Sequence, residues 1–352
     1  MPLQPTPTEQ ELLLSQLAGL NLAEIREFMA KYEVGGREGV KAVLLQLVGA
    51  ALRDGGGPTW DQLVLYLDGV EPFGRQHVYL FKPRAALKQW GDRAAVEERL
   101  RAARLVTLLD SRTALAAPDA VTLSSISLDE QVGAFTVHAV SRRSFLRRRS
   151  ELDEEVNAPR AAAGNLIAHV YEKISVRSWV RLRVETKNGR CSLQVSQLER
   201  KADYEAIVTE FLDLVRHWFP VDTLEPINLA RAIASLEADY ETNRDTAEVR
   251  VQAAAHDTHG GRHHAVSSSR ARQGVLGESA ALDGAVKAMR ESGPAASGNF
   301  YFLPDDAPGS ANPIAKDLHV TCVARDHRIN VRRPTTAEEL AWVLGRIRHH
   351  GN

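Results

Sequence analysis

The sequence predicts an α+β fold: an N-terminal helical bundle followed by a mixed, mainly antiparallel sheet built from loosely repeated ββα units. Three observations predict it. Apolar residues recur at helical spacing behind capping residues up to about residue 110. The texture turns β-branched and alternating near residue 118. Beyond residue 175 the order strand, turn, strand, helix recurs.

The elements follow in chain order. Thr8 with Glu11 has the capping-box spacing ahead of Leu12, Leu13, Leu14 and Leu17. Asn21 with Glu24 is a second such pair, before Ile25, Phe28 and Met29. Gly35-Gly36 breaks the chain, and a third helix is expected to carry Val40, Val43, Leu44, Leu47 and Val48 on one face. Gly55-Gly56-Gly57-Pro58 ends it. Thr59 and Gln62 start a fourth helix with Trp60, Leu63, Val64 and Leu67. An apolar segment, Val78 to Phe81, ends at Pro83, and 93–109 reads as one more helix. Short helices with brief loops make a bundle.

Segments 121–128 and 133–140 read as strands around a turn at Asp129-Glu130-Gln131. An arginine-rich run follows, and 158–173 reads as helix. The first ββα copy is 179–186, a hairpin turn at Lys187-Asn188-Gly189-Arg190, 191–198, and a helix opened by Asp203. The last is 318–324, a turn at Arg325-Asp326-His327-Arg328, 329–332, and a helix capped by Thr336 with Glu339. A poorer copy joins 247–255, Gly260-Gly261, 263–268 and a helix at 279–291. Adjacent copies are expected to share one sheet with helices on one face, leaving the other free to bind. Residues 292–313 read as a loop anchored by a strand around Phe300-Tyr301-Phe302-Leu303. Three regions result: 1–115 as a helical interaction bundle, 116–245 as an α/β domain with a basic hairpin, and 246–352 as a second α/β domain that shares its sheet.

Composition bounds the function. The chain has 352 residues, is 44% apolar and 25% charged, and carries a net charge of −1. That is too apolar for a disordered tail and too neutral for a wholly basic nucleic-acid coat. No run of about 18 apolar residues occurs, so no membrane span is expected. Cys191 and Cys322 cannot build a disulfide scaffold or a four-cysteine zinc site. The start lacks the basic-then-apolar pattern of a secretory signal, so a cytoplasmic or otherwise intracellular protein is expected.

The motifs of common enzymes are missing. The sequence has no Gly-x4-Gly-Lys-Ser/Thr loop, no Gly-x-Ser-x-Gly elbow and no His-Glu-x-x-His helix. No catalytic residue and no cofactor is assigned. Both cysteines fall in strands, where a thiol is usually a small core residue. His256, Asp257, His259 and His263, with His264, are the weak metal candidates. They span the Gly260-Gly261 turn, where such residues usually point into water. Glu185 and Lys187 make an acid-x-Lys fragment, one piece of a metal-dependent nuclease core. Asp153 and Glu172 are the upstream acids such a core would need.

Binding features are richer. Arg142, Arg143, Arg147, Arg148 and Arg149 lie together, followed by Glu151, Asp153, Glu154 and Glu155. Such a run is either a self-neutralised solvated segment or an arm that contacts phosphate. One strand carries Arg177, Arg181 and Arg183, with Lys187 and Arg190 around its hairpin, and alternation puts Arg181 and Arg183 on one face, opposite Val180, Leu182 and Val184. Arg325, Arg328, Arg332 and Arg333 are expected to extend one basic face or rim if the strands share a sheet. Few aromatics suit stacking there, which favours phosphate contact over base reading.

The segment Leu22-Ala23-Glu24-Ile25-Arg26-Glu27-Phe28-Met29, with Gly39-Val40-Lys41-Ala42-Val43-Leu44-Leu45-Gln46-Leu47, resembles a SAP-type helical DNA-binding motif. The same helices, with Leu63-Val64-Leu65-Tyr66-Leu67 and His77-Val78-Tyr79-Leu80-Phe81, resemble the N-terminus of the kinetochore CENP-N family. The resemblance covers about a quarter of the chain. It implies nucleosomal DNA binding and pairing with a partner of similar fold. Arg26, Lys31, Arg37 and Lys41 are matched by Glu24, Glu27, Glu33 and Glu38, which leaves protein docking as the other role for the bundle.

The expected function is therefore a non-enzymatic, nucleic-acid-associated adaptor. Its phosphate contacts would be Arg142, Arg143, Arg147, Arg148, Arg149, Arg181 and Arg183. Its partners would be nucleic acid and one or more protein subunits, with no membrane. The alternatives are a protein-binding subunit without nucleic acid and, third, a metal-dependent nuclease or hydrolase.

Overall fold

A computed structural model describes residues 5–352, apart from 85–86, 114–116, 158–167, 199–201, 244–247, 258–262, 268–279 and 306–309. Four helices come first: α1 (Pro7–Gly19), α2 (Leu22–Lys31), α3 (Lys41–Asp54) and α4 (Trp60–Val70). The expected caps of α2 and α4 form. Asn21 accepts from the amides of Ala23 and Glu24, and Glu24 accepts from the Asn21 amide in return. Thr59 and Gln62 exchange the same bonds. The α1 box is Thr6 with Glu9, not Thr8 with Glu11. Pro7 explains the earlier start, since its fixed φ and missing N–H suit the first helical turn.

Leu17, Ile25, Phe28, Leu44, Val48 and Leu63 fill the core of this bundle. The expected single apolar face of α3 divides. Leu44 and Val48 point inward, while Val40, Val43 and Leu47 are 67%, 44% and 36% exposed.

The helical reading of 8–110 fails at 76–83. β1 (Gln76–Pro83) is a strand, and α5 (Arg93–Ala102) then returns to helix. β2 (Thr122–Asp129), β3 (Ala134–Arg148), α6 (Ser150–Asn157), β4 (Tyr171–Glu185), β5 (Arg190–Ser196) and α7 (Tyr204–Arg216) follow. Residues 171–173, expected to end a helix, begin β4. β6 (Leu224–Pro226) is brief, and α8 (Leu229–Thr242) is a helix that the sequence reading missed. Its signal was present: Asn228 caps it, and Leu229, Ile233, Leu236 and Tyr240 recur at helical spacing. The chain ends with β7 (Val249–Asp257), β8 (His263–Ser267), α9 (Ala280–Ser292), β9 (Ala295–Phe302), β10 (Leu318–Val323), β11 (Arg328–Val331) and α10 (Ala337–Gly351).

The fold is α+β, with one 11-stranded sheet in the order β2-β3-β4-β5-β1-β11-β10-β9-β7-β8, and β6 beside β1. Neighbouring strands pair antiparallel throughout. All three expected hairpin–helix units are present, as β4-β5-α7, β7-β8-α9 and β10-β11-α10. In the first, Gly189 takes the left-handed φ of 64° that the Asn-Gly turn requires. β9, built around Phe300-Tyr301-Phe302, is interior, paired with both β10 and β7. At Gly298 a Cβ would lie 2.6 Å from the Phe300 ring, so the ring packs where only glycine leaves room.

The helices do not share one face, which corrects the expectation. β1 shows why. Val78 and Leu80 point to the front, into a core with α8, α10 and Phe300. Tyr79 and Phe81 point to the back, into a core with α5, α7 and Phe135. The β2–β5 half is thus covered behind and the β7–β11 half in front. β1 stands where the covering changes sides and is buried on both faces, hence its unbroken apolar run. Each half keeps one polar face: front for β2–β5, back for β7–β11. No described helix is long and apolar enough to cross a membrane.

Candidate nucleic-acid interface

The expected arginines fall into two groups. Arg142 to Arg149 lie where β3 and β4 run on as a long two-stranded arm, with register from Arg142↔Arg177 to Arg148↔Tyr171. Arg142, Arg143, Arg148 and Arg149 are ion-paired. Arg142 donates to Asp119 at 2.9 Å, and Arg143 to Glu210 at 2.9 Å. Arg148 donates to Asp153 at 2.6 Å, and Arg149 holds Glu151 and Glu172. Arg147 stands opposite Glu172 in register. Asp153 is the organising acid. The Val170 amide, Arg148 and His169 all bond it and hold its carboxyl down to about 2. These arginines are thus already paired, by acids of the arm, by Glu210 of α7 and by Asp119 ahead of β2.

Arg181 and Arg183 sit differently. Alternation places them on the front face, opposite Val180, Leu182 and Val184, as the sequence predicts. There they meet Arg190 of β5, from the same basic hairpin, and Arg348 of α10, for which no sequence signal stands out. The four guanidinium side chains line a cavity of 130 Å³ with Phe73, Ser192, Gln194, Leu340, Leu344 and one carboxylate, Glu185. Arg181 is 7% exposed. Its Nε donates to the neutral Gln194 at 2.5 Å, and its guanidinium lies 5.4 Å over the Phe73 ring. Burial and the neighbouring Arg183 pull its pKa down to about 9. Arg348 donates to the Phe81 carbonyl at 3.0 Å and the Cys191 carbonyl at 2.6 Å. Burial, with Arg190 close by, lowers it to about 10. His138, beside Arg181 in register, is lowered to about 3 by burial and by Arg181 and Arg177. Crowded cations around one carboxylate among the described lining residues make an anion-seeking cleft, because a buried charge is costly until it is paired.

The C-terminal arginines do not extend this patch. Arg328 pairs in register with Tyr79, and Val78 with Gln194, so Arg328 and Arg181 lie on opposite faces of the same sheet. Arg332 donates to Thr321 on the back face, and Arg333 turns away to Glu339 at 2.8 Å. The expected continuous basic face is two separate surfaces. Strand parity decides this, since a side chain's face depends on register as well as on sharing a sheet.

The weak metal candidates disperse. His256 is fully buried rather than directed into water. Its Nε2 lies 3.0 Å from Glu237 and its Nδ1 3.2 Å from the Gly293 carbonyl. Asp257 is exposed at the end of β7, opposite His263 in register. His259 lies outside the described residues. Among the described residues, no three His, Cys, Asp or Glu side chains are placed to hold a metal. The nuclease fragment has no assembled acids either. Glu185 bonds Asn188 at 2.8 Å, Lys187 donates to the Gln131 carbonyl, and Asp153 and Glu172 serve the arm. Both cysteines are buried in strands, and burial pushes each thiol up to about 12.

No known protein-family model matches this chain, and no curated protein matches it in sequence.

Proposed function

We propose that this protein is a non-enzymatic, nucleic-acid-associated adaptor that grips phosphate through the front cleft. One observation carries the reading: Arg181 is buried among Arg183, Arg190 and Arg348, with Glu185 the one carboxylate among the described lining residues. A phosphate oxygen would supply the missing counter-charge, and planar guanidinium forks suit its geometry. The implied DNA binding of the CENP-N resemblance points the same way. The arm is the secondary contact, since its arginines must first release Asp119, Glu210, Asp153, Glu151 and Glu172.

The test is duplex DNA binding by the full chain across a salt series. Four phosphate contacts predict a log–log slope of about −3.6. Arg183→Ser with Arg190→Ser is expected to weaken binding on the order of 10–100-fold and to flatten the slope by about 1.8. Changing the five arm arginines to Ser is expected to cost less. No binding by the folded wild type at low salt, or unchanged binding by the double variant, sinks the reading.

A second reading has its own observation. Val40, Val43 and Leu47 make an exposed apolar stripe on α3 that suits a protein partner. Val43→Glu with Leu47→Glu is expected to leave stability within about 0.5 kcal/mol. It should also remove specific proteins that co-purify with the full chain from its native cells. Identical co-purification by wild type and variant counts against the stripe.

A further inference from the structure

The back face of the β7–β11 half carries a second, independent surface. Register puts Arg250, Tyr301 and His319 in one row across β7, β9 and β10. Arg332, whose amide bonds the His319 carbonyl, closes the row. Four neighbouring strands at sheet spacing make that row about 14 Å long. Tyr301 and His319 lie flat on each other, centroids 4.6 Å apart at 18°. The next row is Asn299, Thr321, Asn330 and His77. Tyr204, at the start of α7, packs on His77 and Arg328 at one end of this face, while α8, α9 and α10 all belong to the front.

This face is short of hydrogen-bond partners. His77 is 6% exposed, walled by Tyr204 at 3.9 Å, and its Nδ1 has no partner. His319 Nε2, Asn330 Oδ1 and Arg328 Nε are also buried without partners. Such groups cost stability until something bonds them. Burial and the nearby Arg332 hold His319 down to about 4. Burial, Arg328 and Arg332 do the same for His77. Both rings are therefore neutral at pH 7, each able to donate at one nitrogen and accept at the other. The charges are mainly positive. Arg250 and Arg332 are exposed, and Arg328 is paired with Asp326 at 2.8 Å. Glu205 and Asp326 lie at the margin near Tyr79.

We propose that this open sheet face is a second binding site, for single-stranded nucleic acid, with a base stacked on the Tyr301–His319 pair and phosphates held by Arg250 and Arg332. A flat aromatic pair flanked by cations accepts any base by its π-face. Such stacking needs an unstacked base, which single strands offer and duplexes enclose. An apolar protein partner would find little to bury here. The site lies on the opposite face from the arginine cleft and stands or falls without it.

The test is binding of fluorescent oligo-dT and oligo-U to the full chain, in parallel with duplex DNA. Tyr301→Ala is expected to weaken single-strand binding about tenfold or more, and Tyr301→Phe to restore it. Arg250→Ser with Arg332→Ser, both exposed and so tolerant of change, should flatten the single-strand salt slope by about 1.4. Arg183→Ser with Arg190→Ser should leave single-strand binding intact while impairing duplex binding. The proposal is overturned if the folded wild type binds neither oligonucleotide at low salt. It is equally overturned if the Arg250/Arg332 variant binds as wild type does, or if only the cleft variant loses single-strand binding. Should Tyr301→Ala fail to fold, the arginine pair decides.

Discussion

Glu237→Leu is expected to cost about 3–5 kcal/mol of folding free energy, and more at pH 6 than at pH 8. Glu237 and His256 form a pair within the front core, with side chains 1% and 0% exposed and 3.0 Å between them. Burial alone would lower the His256 pKa. The Glu237 carboxylate, through its hydrogen bond and charge, and the Gly293 carbonyl outweigh that and raise it above the ordinary 6.5. Folding therefore favours the protonated imidazole. The contribution is complete below pH 6.5 and is lost as pH climbs through the raised value. Glu237→Gln keeps an acceptor of the same shape, so it should cost less, with the loss still larger at pH 6 than at pH 8 because the charge is gone. Urea unfolding of the three proteins at pH 6 and pH 8 measures this. An equal loss at both values would show that His256 is not protonated in the pair.

Trp90→Ala is expected to cost about 3–5 kcal/mol, through the other core. Trp90 is fully buried in a short 3-10 turn ahead of α5. Its ring lies 5.0 Å from Phe135, 4.9 Å from Phe219 and 6.0 Å from Trp218. These aromatics weld the back of β3 to the segment that follows α7, so the cavity would open where two chain regions 128 residues of numbering apart, 90 and 218, meet. The indole Nε1 has no partner, so Trp90→Phe removes an unsatisfied donor and should cost far less than the alanine. Urea midpoints of the two variants decide it. Similar losses would show that a phenyl ring packs this site no better than alanine does.

Local signals were legible wherever their physics is local. The Asn21–Glu24, Thr59–Gln62 and Thr336–Glu339 boxes each close within four residues of chain and formed as expected. The Lys187-Asn188-Gly189 turn brought β4 and β5 together. Alternation alone put Arg181 and Arg183 opposite Val180, Leu182 and Val184. Three of the cleft's described cations, Arg181, Arg183 and Arg190, were legible as one basic hairpin. Arg190 joins the cleft through the hairpin that the Asn-Gly turn closes, and Arg348 through a helix docking that no local spacing shows.

The misses share one cause. β1 was grouped with the preceding helices because a short apolar run does not distinguish strand from helix without its neighbours. The arm's neutrality depends on Arg143 finding Glu210 and Arg142 finding Asp119, contacts no spacing rule anticipates. His256 looked like a turn residue until Glu237 of α8 came to meet it.

By itself, then, the sequence determined the α+β class, the three hairpin–helix units and the side each strand residue takes relative to its neighbours. Periodicity and capping are properties of a few consecutive residues, so they can be read in order. Only the tertiary structure decided which face each helix covers and so which arginines are left together. That choice depends on β1, whose two apolar sides let the covering pass from back to front and leave Arg181 on one face and Arg328 on the other.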